Sequence, residues 1–279
     1  IQMVTFSEPK DGNAPGEWQD GACGGVVDDG TATPRRARFV VLDGATGAYD
    51  PVRWVDQLVR SFAPQAGGDP RSPRSGGSEG PSLEPFAMRA WFAEMQDRWA
   101  ADVRDFDSII EERKFAEVGS FATLLGFDIY SLDGQDPYWR AVALGDTVLF
   151  HVRAGRVIAV FPPMGPDDFG TLPDGVHTSR ASLDRMTERL LTGGGVIEAG
   201  DFLFAATDAM AQWILRTIER DEAKVWDTLT TLAHPDVFAR LVEDQRREQN
   251  SAKRMKNDDV TLMRLRMLAG QPAFLLACR

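Results

Sequence analysis

A set of apolar, strand-like runs, each beginning, ending or turning at an aspartate, constrains this chain more than any other feature. Arg38-Phe39-Val40-Val41-Leu42 is closed by Asp43-Gly44, the pattern of a buried strand stopped by a turn. Residues 202–207 form a similar run that delivers Asp208 at its C-terminal end. Residues 260–265 alternate, with Asp258 and Asp259 at their N-terminal end. Residues 139–144 and 148–152 flank Gly145-Asp146-Thr147, which predicts a hairpin with Asp146 at its tip. Asp20 is the fifth such acid. A sheet gathers its strand ends along one rim, so carboxylates scattered over the sequence can converge there on hard divalent cations. Acids at the start of one strand meet acids at the ends of others only where those strands run antiparallel, so the pattern calls for a largely antiparallel sheet.

Composition sets the bounds. With 279 residues, 43% hydrophobic and 26% charged, the chain can bury a full core and fits one large domain or two small ones. One domain over 1–279 is the simpler reading, because the acid set spans the whole chain. A formal net charge of -11, from 42 acids against 31 bases, argues against nucleic-acid and anionic-membrane partners, which need basic patches. A phosphate would have to be drawn in by local metal charge and not by the global field. Reduced thiols are favoured for Cys23 and Cys278 over a structural disulfide. No apolar run approaches membrane-spanning length and the N-terminus lacks a basic-then-apolar signal pattern, so a cytoplasmic enzyme is expected.

Along the chain, an opening strand is predicted over 3–7 and a helix over 51–62, with Pro51 in its first turn and Val52, Val55, Leu58, Val59 and Phe62 on one face. Residues 64–83 are rich in Pro, Gly and Ser and read as a mobile surface loop; an interdomain linker is the weaker reading. Residues 85–117 read as two helices meeting near Phe106-Asp107-Ser108, with Trp91 and Trp99 in the core; Trp213, on a later helical pattern, reads as core too. Strands follow over 120–130 and 156–161, an irregular segment over about 162–178, and helices over 182–191, 208–220, 222–232 and 235–250. Gly193-Gly194-Gly195 lacks the Lys and Ser/Thr of a phosphate-binding loop and reads as a turn. The charged tract from Asp244 to Lys256 reads as a solvated helix end and loop. His151 reads as a strand side chain, His177 as a loop residue and His234 as the residue that starts a helix; Ser120 has no nucleophile-elbow context.

The ordered set Gln19-Asp20, Asp43-Gly44, Gly119-Ser120-Phe121-Ala122, Gly145-Asp146, Gly200-Asp201, Thr207-Asp208-Ala209 and Asp258-Asp259-Val260-Thr261 resembles the PP2C (PPM) family of metal-dependent serine/threonine protein phosphatases, bacterial type. Order, spacing and strand context carry the resemblance, which covers nearly the whole chain. It implies an α+β fold, an α-β-β-α four-layer sandwich with two central antiparallel sheets. It also implies a Mn²⁺ or Mg²⁺ pair at one end, with 162–178 beside the place of the family's variable substrate flap. By resemblance Asp43 bridges both ions, Asp20 and the Gly44 carbonyl help hold one, Asp208 and Asp258 hold the other, and Asp146 matches the position tied to a third, weaker metal. Oxygen ligands suit these ions, whereas zinc or copper would favour His or Cys. A metal pair makes a bridging water acidic enough to attack phosphorus as hydroxide, and Asp43, Asp208 and Asp258 act through it.

Several residues depart from the family pattern. Gln19 stands where an acid is usual, Ala209 replaces a common Gly and Asp259 a common Asn, and the Pro15 region offers no phosphate-binding arginine, with Lys10 the one substitute. Ala45-Thr46 after Asp43-Gly44 leaves out the histidine that some members use as general acid. The reading is a monomeric hydrolase of phosphoserine and phosphothreonine in phosphorylated proteins, opposing a serine/threonine kinase. The alternative is a phosphatase-like module that binds phosphoproteins with weak or no turnover. A third, weaker reading is hydrolysis of a small phosphorylated metabolite.

Overall fold

The computed structural model describes residues 1–14, 17–27, 36–63, 80–102, 106–130, 137–170, 173–251, 253–268 and 275–276. Cys278 and most of the predicted 64–83 loop lie outside these residues. The strands are β1 (Gln2–Glu8), β2 (Gly21–Val27), β3 (Arg36–Leu42), β4 (Phe121–Ala122), β5 (Leu124–Tyr130), β6 (Tyr138–Leu144), β7 (Val148–Arg153), β8 (Arg156–Phe161), β9 (Val176–His177), β10 (Leu191–Val196), β11 (Phe202–Ala206), β12 (Val260–Arg266) and β13 (Leu275–Leu276). The helices are α1 (Pro51–Phe62), α2 (Pro85–Ala101), α3 (Ile109–Arg113), α4 (Leu183–Arg189), α5 (Asp208–Thr231) and α6 (Pro235–Arg246).

Two sheets stack face to face. One runs in the order β13-β1-β12-β11-β7-β8 and the other β10-β6-β5-β3-β2. Every neighbouring pair in them is antiparallel except the short β1–β13 contact. Side chains alternate across each strand, so in β3 Ala37, Phe39 and Val41 face the other sheet while Val40 and Leu42 face α1 and α2. Both faces are therefore covered, which explains why β3 reads as an unbroken apolar run and not as an alternation. The other sheet does the same: Leu203, Ala205, Met263 and Leu265 enter the inter-sheet core, and Phe204, Ala206, Val260 and Leu262 pack under α5 and α6. These three apolar layers between four structural ones make the expected α-β-β-α sandwich.

Local chemistry sets the helix limits. Asp50 accepts from the Arg53 amide at 3.3 Å and Pro51 supplies the first turn of α1, whose Trp54, Val55, Leu58 and Phe62 are buried. His234 Nδ1 accepts from the Asp236 amide at the start of α6, its predicted place. Ser108 caps α3 through the Glu111 amide at 3.2 Å, just after the break predicted near Phe106. A non-helical backbone at Asp221 (φ -159°) bends α5 where the sequence separates two helices.

Four readings change. Residues 139–144 and 148–152 do not form a hairpin: β6 pairs with β5 and β10 in one sheet and β7 with β8 and β11 in the other, so the turn at Gly145-Asp146-Thr147 crosses from sheet to sheet. Residues 193–195 are not a turn but part of the edge strand β10, paired with β6. A Cβ on Gly193 would come within 2.5 Å of the Phe161 ring, so the missing side chains make room for aromatic packing. The strand over 120–130 is two, because Thr123 separates β4 from β5. His177 lies in β9, its ring stacked on Phe121 at 4.9 Å, and not in a loop. No helix among the described residues is long and apolar enough to cross a membrane.

Phe127 is fully buried between the sheets and stacks on Phe39 at 5.1 Å. Phe127→Ala should destabilise the fold by about 3–5 kcal/mol, whereas Phe86→Ala, on a side chain that is 85% exposed, should change stability by less than about 0.5 kcal/mol. Urea unfolding of both variants checks the layer assignment, and equal losses would contradict it.

Candidate metal centre

Antiparallel pairing brings the five acids to one rim. Asp20 directly precedes β2, Asp43 directly follows β3, and the pairing of Gly21 with Leu42 sets the two acids side by side. Asp146 occupies the turn between β6 and β7, and Asp208 opens α5 one residue after β11. Asp258 stands two residues before β12, whose Leu262 pairs with Ala206 of β11. Asp43, Gly44, Asp146, Asp208 and Asp258 line a cleft of about 150 Å³, together with Ala45, Thr46, Phe121, Thr123, Gly170, Pro173 and Lys256. A larger groove of about 630 Å³ runs along Asp221, Lys224, Asp227 and Val237, but no buried polar atom there lacks a partner.

Asp20 lies just behind the cleft, 4% exposed, and ties the two sheets together. Its Oδ2 accepts from Thr207 Oγ1 at 3.0 Å and Thr261 Oγ1 at 2.7 Å, both on the opposite sheet's rim. Its Oδ1 is buried with no hydrogen-bond partner, and so is Oδ1 of Asp146. Two buried carboxylate oxygens without donors are costly by themselves and fit a missing positive ligand. Gly44 completes the wall: a Cβ there would sit 2.4 Å from the Gln19 carbonyl oxygen, so only glycine lets the two acid-bearing turns approach this closely.

Among the described residues, however, no three acid, histidine or cysteine side chains converge tightly enough to hold an ion as they stand. Like charges push apart, and two of the five acids are drawn elsewhere. Lys256 Nζ lies 2.6 Å from Asp208 Oδ2 and 2.8 Å from Asp258 Oδ2. The other Asp208 oxygen accepts the Ala209 amide. The donor set is all oxygen, hard and anionic, so its chemistry fits Mg²⁺ or Mn²⁺.

The electrostatics follow from crowding. Burial raises the Asp43 carboxyl well above the usual range, helped by the charges of Asp20, Asp208, Asp146 and Asp258. Asp20 is also raised, by burial first, although the Thr261 hydrogen bond pulls the other way. Burial and then Asp208 push Asp146 from an ordinary 3.8 to about 7. For Lys256, burial lowers the pKa, but Asp208 and Asp258 outweigh it and hold the ammonium above its usual range.

Residues outside the predicted set position these acids. Asp259, expected to add charge to the site, accepts from the backbone amides of Lys10 and Gln19, both at 2.8 Å, and so anchors the turn that carries Asp20. Gln19 accepts from Thr46 Oγ1 at 3.1 Å, and Lys10 does not line the cleft. Thr123 Oγ1 accepts from the Asp43 amide at 3.3 Å and lies 2.5 Å from Thr147 Oγ1 beside Asp146. The tract from Asp244 to Lys256 is not merely solvated. Arg246 is buried and donates to the carbonyls of Pro9 and Asp258, and Lys256 reaches into the cleft. Its run of like and unlike charges masks these two, and no periodicity singles them out.

Solved structures share this architecture. The S. agalactiae serine/threonine phosphatase matches with a TM-score of 0.56 at 13% identity, covering 95% of this chain and 98% of that one. PppA, described as a key regulatory component of T6SS in Pseudomonas aeruginosa, matches at 0.52 and 15% identity, covering 95% and 96%. The photosystem II phosphatase PBCP matches at 0.53 and 13% identity, covering 96% and 98%. No family model and no curated protein sequence matches the chain. At these identities the likeness shows the fold, which is the one the PP2C resemblance implies.

A carboxyl raised in the folded state keeps a proton that the unfolded chain has already released, so stability falls as pH rises through that window. For Asp146 the window runs from about pH 4 to about pH 7. His151 and His177 are lowered by burial and act in the opposite sense near their ordinary pKa of 6.5, so a difference between variants isolates the acid. In EDTA, the melting temperature of Asp146→Asn should gain on that of wild type as pH rises through this window. Parallel curves would contradict the assignment.

Proposed function

We propose that this chain, with the fold of serine/threonine phosphatases, is a divalent-metal-dependent phosphatase of phosphoserine and phosphothreonine in proteins, working as one domain over 1–279. The observation that carries the reading is the gathering of five acids from five separate strand ends at one rim, four lining a small polar cleft and Asp20 just behind it, where Asp20 and Asp146 each keep a buried, partnerless oxygen. Asp43, Asp20 and the Gly44 carbonyl would hold one ion; by resemblance Asp208 and Asp258 stand at a second position, where they are paired with Lys256, and Asp146 at a third. Bound divalent cations supply neutralisation of the phosphoryl oxygens and a water acidic enough to attack phosphorus.

The protein's own groups do the rest. The Asp20 carboxylate is held by Thr207 and Thr261, and the Asp43 backbone by Thr123, so these two acids are fixed in place before positive charge arrives. Ala45 and Thr46 leave room above Asp43 for a phosphoryl group and supply no histidine, so the leaving oxygen takes its proton from water. With about 150 Å³, the cleft admits a phosphate and the first atoms of its ester while the bulk of the substrate stays outside. That suits a phosphorylated side chain on a protein, the product of a serine/threonine kinase.

One observation favours the second reading, a phosphoprotein-binding module of weak turnover. Among the described residues no arginine lines the cleft, and the one basic side chain there, Lys256, is paired with two of the acids.

Hydrolysis of a phosphothreonine peptide should vanish in EDTA and return with Mn²⁺, and Asp43→Asn should lower the rate by at least about 100-fold while the circular dichroism stays unchanged. Full turnover in metal-free protein would remove the mechanism. Tight peptide binding without turnover, in the presence of Mn²⁺, would select the binding module.

A further inference from the structure

The Asp208–Asp258 half of the rim already has a cation. Lys256 Nζ sits between Asp208 Oδ2 and Asp258 Oδ2, at 2.6 and 2.8 Å, the distances of charge-assisted hydrogen bonds. The backbone on both sides of the lysine is fixed. Met255 is 3% exposed and packs in the core under α5 and α6, and its amide donates to the Gln245 carbonyl at 3.0 Å. On the other side Arg246 grips the Asp258 carbonyl, and Asp259 is bonded to Lys10 and Gln19. Between these anchors the four-carbon stem of Lys256 carries its ammonium to the two acids.

The other half differs. No hydrogen bond reaches the Asp43 carboxylate among the described residues, and one Asp20 oxygen is buried without a partner. Those groups need a positive ligand from outside the chain, whereas Asp208 and Asp258 have one within it. A second divalent ion between Asp208 and Asp258 would have to displace the ammonium and break both of its hydrogen bonds. Placed beside the ammonium instead, it would meet a like charge at close range.

We propose that Lys256 is an internal cation standing in for the second metal, so that the centre holds one tightly bound divalent ion, at Asp20 and Asp43, beside a fixed ammonium. This rests on the reading of the cleft as a metal centre. The lysine then plays a positioning part, keeping Asp208 and Asp258 in place and supplying positive charge at the cleft without a bound ion. It also gives the acidic cleft a partial charge balance before any metal arrives.

Mn²⁺ titration followed by electron paramagnetic resonance tests this without relying on activity, because two neighbouring Mn²⁺ ions couple and one alone does not. Wild type should bind one Mn²⁺ per chain with an uncoupled spectrum at micromolar metal. Lys256→Met should bind two, with the spectrum of a coupled pair, and Lys256→Arg, which keeps a cation, should return to one. Lys256 is half-exposed, so these variants should fold, and a melting curve verifies it. A coupled pair in wild type, or a single ion in Lys256→Met, overturns the proposal while leaving the metal centre standing. No Mn²⁺ bound by wild type overturns both.

Discussion

Everything at the rim depends on the Asp20 carboxylate, buried between two sheets and held from the opposite side by Thr207 and Thr261. It is attached to the start of β2 in one sheet, while its donors stand at the end of β11 and the start of β12 in the other. A charged group in that position costs folding free energy unless it is paired, and its two hydrogen bonds satisfy one oxygen only. The sandwich thus carries a built-in deficit of positive charge at one end. Asp43 and Asp146 deepen it, and burial pushes both toward the protonated form. Under the proposed reading, a cation bound at this rim would relieve that crowding.

The polar contacts elsewhere show the contrast. Arg38 and Asp128 face each other across β3 and β5 as a bidentate pair at 2.7 and 2.8 Å, both buried, with the guanidinium over the Phe62 ring at 5.2 Å. His151 accepts from Trp139 Nε1 at 3.1 Å through Nδ1, which leaves its Nε2 proton for Asp201 at 2.8 Å. In these places each buried charge or polar ring has its partner within the chain, so they are structural. Only the cleft leaves buried acidic oxygens without donors among the described residues.

The architecture was legible because both sheets leave a plain mark. Strands covered on both faces, such as β3 and β11, read as unbroken apolar runs, and an aspartate at the end of each announces the rim. The break in α5 at Asp221 and the one before α3 near Phe106-Asp107-Ser108 were legible from the sequence pattern. What stayed hidden depends on tertiary contact. The glycines of β10 look like a turn because the reason for them, the Phe161 and Trp139 rings, is distant in sequence. Asp259 looks like a site acid, yet its role is set by amides some 240 residues earlier in the chain. Lys256 is one basic residue among several in a charged tract, and only the fold shows which of them faces the acids.

The account stands or falls on whether positive charge collects at this rim. Crystals soaked in Mn²⁺ and measured at the manganese absorption edge place the ion directly by anomalous scattering. The account predicts a strong peak in direct contact with Asp43 and Asp20. A peak elsewhere on the surface, or none at the rim in Mn²⁺-saturated crystals, would contradict it.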